Sequence, residues 1–281
     1  MTQQTDTFLL GGDLPIGRLG FGAMRLTSGW EANTPAVLAN ARAVARRAVS
    51  LGVTFIDTAD AYGLGANEEA LADALHPYPD DLVIGTKVGH CRPGQGRWVP
   101  LGRPEYLRQQ VALSLRRLRV ERIDLLQLHR VDPQVPFADQ IGTLTDLVAE
   151  GKVRHIGLSE VDVATLAEAR RLAPIASVQN LFNLDNRKHE DVLDYCTRHH
   201  IAFIPWLPLS NGAQADAEGP VAAIAKELDA TASQVALAWQ LHRSRAVVPI
   251  PGTKSLAHLE ENVAAARLRL TASHVAQLNQ G

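Results

Sequence analysis

The chain has 281 residues, 46% of them hydrophobic and 21% charged, which suits one large α/β domain or two small ones and excludes a disordered or fibrous polymer. Its 28 Lys and Arg against 30 Asp and Glu leave a net charge of −2, so no global positive field draws nucleic acid or an anionic membrane. The longest apolar run, Ile201 to Leu209, holds nine residues and two prolines, too short to span a bilayer.

The opening MTQQTDTFLLGGDLP has neither a basic n-region nor an apolar h-region, so the expectation is a cytoplasmic chain without an export signal. Within it, TFLLGGDLPIG sets two short runs around Gly-Gly-Asp and predicts a β-hairpin. Eight apolar β-type runs follow: LGFGA (19–23), VTFID (53–57), DLVIGT (81–86), IDLLQL (123–128), VRHIGL (153–158), IASVQN (175–180), AFIPW (202–206) and AVVPI (246–250). Segments of helical apolar spacing separate them, as at Val37–Val49 and Leu107–Leu118. Alternating strands and helices imply parallel βα units joined by right-handed crossovers. Eight such units favour a (β/α)8 TIM barrel over an open doubly wound sheet, as a single domain over 1–281, with the hairpin plugging the end away from the mouth. Two segments exceed a normal connection: Val88–Arg103, with four Gly, three Arg and no acid, and 207–217 (LPLSNGAQADA). Both follow strands and read as functional or mobile loops over the C-terminal mouth. Cys91 and Cys196 lie outside any CxxC or Cys/His spacing, so neither a disulfide framework nor a metal site is expected.

In a barrel, chemistry sits on polar side chains at strand C-termini. The second strand ends in Asp57, the third in Thr86-Lys87, and the fourth in Gln127-Leu128-His129; Tyr62 lies five residues past Asp57. Each alone has a plain reading: a helix cap, a solvated lysine, a structural histidine, a packed tyrosine. Together they form a proton-transfer device. A phenol with pKa near 10 is a poor acid at neutral pH; a nearby ammonium lowers that pKa, and a carboxylate keeps the ammonium charged and placed. An imidazole beside them orients a substrate oxygen. Such an acid suits hydride addition to a carbonyl, where a developing alkoxide needs a proton.

The segments GFGAMRL (20–26), FIDTADAYG (55–63), TKVG (86–89), LLQLHR (125–130), HIGLSE (155–160), SVQN (177–180) and IPGTKSLAHLEENV (250–263) resemble the aldo-keto reductase superfamily, in order and over nearly the whole chain. The bacterial branch with IPWxPL and an IPGT-type tail, which includes pyridoxal-reductase-like proteins, is the nearest resemblance. It implies an NADP(H)-dependent reductase of aldehydes or ketones, on a barrel with two late helices outside the cycle. Tyr62 would be the general acid, Lys87 the partner lowering its pKa, Asp57 the partner of that lysine, and His129 the oxygen-orienting residue. Ser159 and Gln179, with Glu160 beside them, would hold the nicotinamide carboxamide, and Trp206 would stack on the ring. Gly22, Ala23 and Met24 would lie near the nicotinamide ribose, with Leu207, Pro208 and Leu209 also along the cofactor. Gly252, Thr253, Lys254, His258, Glu261 and Asn262 would bind the adenosine end. The residues support that last set independently, because a helix opening at Ser255 offers backbone N–H groups to an anion and Lys254 adds a point charge for a 2′-phosphate. No GxGxxG follows a strand; Gly63-Leu-Gly65 runs into Ala-Asn-Glu-Glu and reads as a helix start, so a Rossmann site is not expected.

Two positions depart from the family pattern. Glu160 stands where Asn is usual, and a carboxylate only accepts hydrogen bonds; near the ring it would favour the positively charged oxidised nicotinamide, unless it points away toward the helix from Asp162. His258 stands where many members have Arg, which leaves NADH open beside NADPH. Three rivals accompany the reductase reading: a Schiff-base lyase using Lys87, a metal-dependent hydrolase using Asp57 and Asp60, and a non-catalytic nicotinamide-binding module that senses redox state. The expected partner is a small-molecule carbonyl compound, with neither nucleic acid nor membrane. Trp30, His90, Trp98 and Trp206 would line a mouth suited to planar substrates. Arg92, Arg97 and Arg103 read as solvated loop charges, with attraction of an anionic substrate as the other reading.

Overall fold

The computed structural model describes residues 7–27, 29–31, 33–210 and 219–280. In chain order the strands are β1 (Thr7–Leu10), β2 (Leu14–Gly17), β3 (Phe21–Gly22), β4 (Phe55–Asp57), β5 (Val83–Val88), β6 (His90–Gly94), β7 (Arg97–Pro100), β8 (Ile123–Leu128), β9 (Val153–Ser159), β10 (Ile175–Gln179) and β11 (Ala202–Phe203). The helices are α1 (Pro35–Ser50), α2 (Ala66–Leu75), α3 (Pro104–Leu118), α4 (Phe137–Ala149), α5 (Val163–Leu172), α6 (Glu190–Arg198), α7 (Pro220–Glu227), α8 (Ala232–Arg243), α9 (Leu256–Ala264) and α10 (Ala272–Gln280). Seven parallel strands lie in the order β11-β10-β9-β8-β5-β4-β3, with helices between successive strands, which is the predicted (β/α)8 barrel.

The eighth predicted strand, AVVPI, does not form a regular strand; it makes a single bridge, Val247 to Phe203. It nevertheless closes the ring. On the β11 side Phe203 N donates to Ala246 O and Val248 N donates to Phe203 O, both at 2.8 Å. On the β3 side Gly20 N donates to Pro249 O at 3.0 Å and Gly22 N to Pro251 O at 3.3 Å. A parallel ladder would return a bond from residue 251 to Gly20 O, and Pro251 has no N–H to give. Prolines at 249 and 251 thus allow closure while removing the regular ladder.

The hairpin β1–β2 turns through Gly11 and Gly12, at φ +64° and +87°, a region glycine enters without a Cβ penalty. Gly17 N donates to Thr54 Oγ1 at 2.8 Å, and Asp13 binds Arg154 and His155 at 2.9 and 2.6 Å. Those partners stand at the starts of β4 and β9, so the hairpin covers the N-terminal end of the barrel. Leu10 and Ile16 enter the barrel interior there, against Phe55, Val83, Leu125 and Val248. A mouth is left at the other end only.

Helix starts follow the local chemistry. Thr34 caps α1 through Val37 N, with Pro35 at the first position, and α1 turns Ala41, Val44, Ala45 and Ala48 inward at the 3.6-residue period. Two of the ten described helices, α7 and α10, fall outside the cycle and join through His274 and Glu227 at 3.0 Å. The segment Val88–Arg103, expected as a functional or mobile loop, contains a hairpin: β6 and β7 pair antiparallel within it, His90 with Pro100 and Gly94 with Arg97. Of the segment 207–217, residues 211–217 lie outside the described residues.

Candidate active site

Lys87 lies at the end of β5 with no exposed surface, and Asp57, ending β4, is 2% exposed. The ammonium Nζ donates to Asp57 Oδ2 at 2.5 Å, to Thr58 O at 2.8 Å and to Tyr62 Oη at 3.2 Å, so all three of its protons are directed. The other carboxylate oxygen, Asp57 Oδ1, accepts from Gln127 Nε2 and Gln179 Nε2, both at 2.9 Å. A buried charge costs several kcal/mol unless paired and hydrogen-bonded, and here both members are. Gly157 makes room for this arrangement, because a Cβ there would meet Ser177 Oγ at 2.2 Å and Gln127 Cγ at 2.8 Å.

Tyr62 is carried by the turn after β4, and its ring meets that of His129 edge-on, centroids 5.9 Å apart. Burial pushes the Tyr62 phenol above its ordinary pKa, despite the attraction of Lys87. Lys87 pulls this pKa down, in the expected direction, but does not bring it below the usual value. Desolvation outweighs the ammonium, and Asp57 cancels part of its field. Burial also opposes the charge on Lys87, but Asp57 and the Tyr62 oxygen outweigh it and hold the lysine above its usual value. Burial, reinforced by Lys87, Arg130 and His90, holds His129 well below the usual imidazole value. Burial likewise takes His90, with help from Arg130, down to about 4. The centre is thus a neutral phenol, a charged lysine and two neutral imidazoles.

These directions fix a pH profile. A phenol acid is lost as pH rises through its pKa, here above 10, and a neutral imidazole is lost as pH falls through its pKa, here below 6.5. Any reaction that needs this phenol protonated and this imidazole neutral should keep its kcat/KM level between about pH 6.5 and 10. A steady-state series with an inflection near pH 7 would contradict the assignment.

The rim beyond this centre comes from β9, β10 and β11. Ser159 Oγ accepts from Arg130 Nη1 at 3.0 Å, and the same nitrogen donates to His129 O at 2.5 Å. Glu160 does not cap a helix: Asp162 caps α5 through Thr165 N. Instead Glu160 Oε1 accepts from Trp206 Nε1 at 2.6 Å and from Leu181 N at 2.7 Å, pinning the indole expected to stack on a nicotinamide. Glu160 and Leu207 sit at φ +56° and +55°, a region non-glycine residues enter at a cost of about 1–3 kcal/mol. Leu207 O accepts from Asn183 Nδ2 and Pro208 O from Gln240 Nε2, while Leu209 packs on the core. Gln179 gives its amide to Asp57 and to Gln127 Oε1 at 3.2 Å, beneath the site expected for the carboxamide.

On the opposite wall His90 lies 4.9 Å from His129 and 5.0 Å from Trp98 between ring centroids. Trp98 lies 6.2 Å from His129, and Trp30 is partly exposed farther out. The predicted nucleotide strip runs from the end of β3 to α9. The backbone is close here: a Cβ on Gly22 would meet Ile250 O, and one on Gly252 would meet Gly22 O, each at 2.6 Å. Ala23 is buried and Met24 exposed. Thr253 Oγ1 accepts from Ser255 N, and Ser255 caps α9 through His258 N. Lys254 and His258 are exposed, Asn262 is buried, and Glu261 accepts from Thr231 Oγ1 at the start of α8.

A family model for the aldo/keto reductases matches residues 18–280. The chain belongs to the aldo/keto reductase family. An uncharacterized oxidoreductase of Schizosaccharomyces pombe is 48% identical over 96% of this chain and 88% of its own length. Pyridoxine 4-dehydrogenase of Escherichia coli is 38% identical over 95% of each. An aldo/keto reductase of Klebsiella pneumoniae, solved with NADP and acetate, superposes with a TM-score of 0.85 at 27% identity, over 99% of this chain and 95% of that one.

Within this aldo/keto reductase the structure gathers Asp57, Tyr62, Lys87 and His129 at one point. It adds groups that the sequence reading did not single out: Gln127 and the Thr58 carbonyl, which fix Asp57 and Lys87, and Arg130 on the rim. Gln127 had a signal, its place two residues before His129 on the same inward face of β8. Arg130 had only its place next to His129.

Proposed function

We propose that this aldo/keto reductase reduces an aldehyde or ketone to an alcohol with NADP(H), Tyr62 acting as general acid. The observation that carries the reading is the Lys87 ammonium bridging Asp57 and Tyr62 beside a neutral His129. The residues fit the cofactor. The capped start of α9 with Lys254 suits a phosphate, the pinned Trp206 offers a flat face, and the mutual approach of Gly22 and Gly252 leaves the strip free of side chains. The Klebsiella relative solved with NADP supports the same choice.

When bound, NADP(H) supplies the hydride. The chain's own residues do the rest. Tyr62 Oη and the His129 imidazole converge on one place for a carbonyl oxygen, and the phenol gives its proton to the alkoxide as it forms. The phenolate left behind sits 3.2 Å from the Lys87 ammonium, which stabilises it in a site shielded from water. Asp57 keeps that ammonium charged and aimed. His129, being neutral, orients the oxygen without adding charge.

The same arrangement argues against a Schiff-base lyase, whose lysine must be a free amine, whereas Lys87 is held as an ammonium by three acceptors. The test follows absorbance at 340 nm with NADPH, then NADH, against pyridoxal, aryl aldehydes and keto-sugars. Turnover with NADPH is expected. Binding seen as quenched Trp fluorescence, without turnover of any of them, would favour the redox-sensing reading; absence of nucleotide binding would overturn the cofactor assignment.

A further inference from the structure

We propose that the mouth accepts an aromatic aldehyde or ketone carrying an anionic substituent, and that Arg92 receives the anion. This specifies the substrate class of the reductase reading and rests on it.

The three arginines of the segment after β5 look alike in sequence and differ in the fold. Arg97 and Arg103 are exposed. Arg92 is packed: its Cζ lies 4.5 Å from the Trp98 ring centre and 5.7 Å from that of Trp30, and Nη1 donates to Gly29 O at 2.8 Å. Two indole faces and a backbone anchor fix the plane of the guanidinium, and its Nε is buried without a partner. A guanidinium over aromatic rings is weakly hydrated, and with Nη1 on Gly29 O and Nε buried, Nη2 is the nitrogen left for a carboxylate or phosphate.

Among the described residues neither Arg92 nor Arg130 has a carboxylate at ion-pair distance. The acids nearby are already engaged. Asp57 is taken by Lys87, Glu160 by Trp206 and Leu181, and Asp132 by the amides of Gly102 and Gln134. Asp60 is buried, and desolvation with repulsion from Glu68 raises its pKa to about 8. The hydrogen bonds at Glu160 and Asp132 occupy those carboxylates without cancelling their charges, and they leave the Arg92 guanidinium without an acidic partner.

The spacing also fits. The Trp98 ring neighbours both groups, 4.5 Å from Arg92 Cζ and 6.2 Å from the His129 imidazole, so an aromatic ring beside Trp98 has the guanidinium and the proposed carbonyl position both within reach.

The experiment measures kcat/KM at saturating NADPH for 4-carboxybenzaldehyde and benzaldehyde, and for pyridoxal 5′-phosphate and pyridoxal, with the wild type, Arg92→Gln and Arg92→Lys. The readout is the ratio of charged to neutral substrate within each protein, which cancels losses from folding. Arg92→Gln should lower that ratio about 10- to 100-fold, the range of one charged hydrogen bond, and Arg92→Lys should restore part of it. Whichever pair responds more identifies the anion as carboxylate or phosphate. An unchanged ratio in both pairs overturns the proposal. If the wild type reduces none of the four, the aromatic substrate class fails, and the reductase reading fails with it only when keto-sugars are not reduced either; the anion site is then read by quenching of Trp fluorescence with 4-(hydroxymethyl)benzoate, whose equal binding to wild type and Arg92→Gln would overturn it.

Discussion

Tyr62→Phe should bind NADPH as the wild type does and reduce carbonyls about 10²- to 10⁴-fold more slowly, the usual contribution of a positioned general acid. The substitution removes one oxygen. Lys87 keeps Asp57 and Thr58 O as acceptors at 2.5 and 2.8 Å, so the buried ion pair survives. The edge contact between ring 62 and His129 survives as well, since phenylalanine has the same ring. The loss should therefore fall on kcat, with the NADPH dissociation constant from Trp quenching unmoved. A variant that keeps more than about a tenth of wild-type kcat would show that another group donates the proton.

Lys87→Met should be the most destabilising single change at the site, by about 3–5 kcal/mol, because it strands a carboxylate that was neutralised in the interior. Asp57 then retains only the two amides of Gln127 and Gln179, which orient the charge without cancelling it. The double variant Asp57→Asn/Lys87→Met removes both charges and should recover most of that loss while remaining inactive. Urea unfolding of the four proteins at unchanged m values closes the cycle. If the double variant is no more stable than Lys87→Met alone, the stranded charge is not the source of the loss.

The barrel is legible because each strand is a short apolar run between helical segments, and that alternation needs no long-range information. The four residues gathered at the mouth are legible for a related reason: a residue at the end of a parallel strand stands at the mouth wherever its neighbours lie. Other features depend on which strands meet. The link from Glu160 to Trp206 joins the ends of β9 and β11 across β10, so sequence alone left that carboxylate between a cap and a ring contact. The sandwich around Arg92 needs the pairing of β6 with β7 and the approach of Trp30 from the segment after β3. The direction of the Tyr62 pKa depends on how much water the fold excludes, a property of the assembled mouth and not of the residue types. The segment predicted as the eighth strand closes the ring without forming a regular strand, because its prolines remove donors that apolar patterning does not register.

That last segment has a consequence for how the ring holds together. Elsewhere on the circumference neighbouring strands exchange hydrogen bonds in both directions. Between Gly20–Gly22 and Pro249–Pro251 they run one way, from β3 outward. Parting the barrel at this seam breaks fewer bonds than parting it at the long β8–β9 pairing, so the wall opens there at lower cost than along that pairing. The strip proposed for the nucleotide begins on both lips of the same seam, at Gly22 and Gly252. A ligand lying across them would act as a clasp, supplying from outside the polypeptide the continuity that two prolines withhold from it.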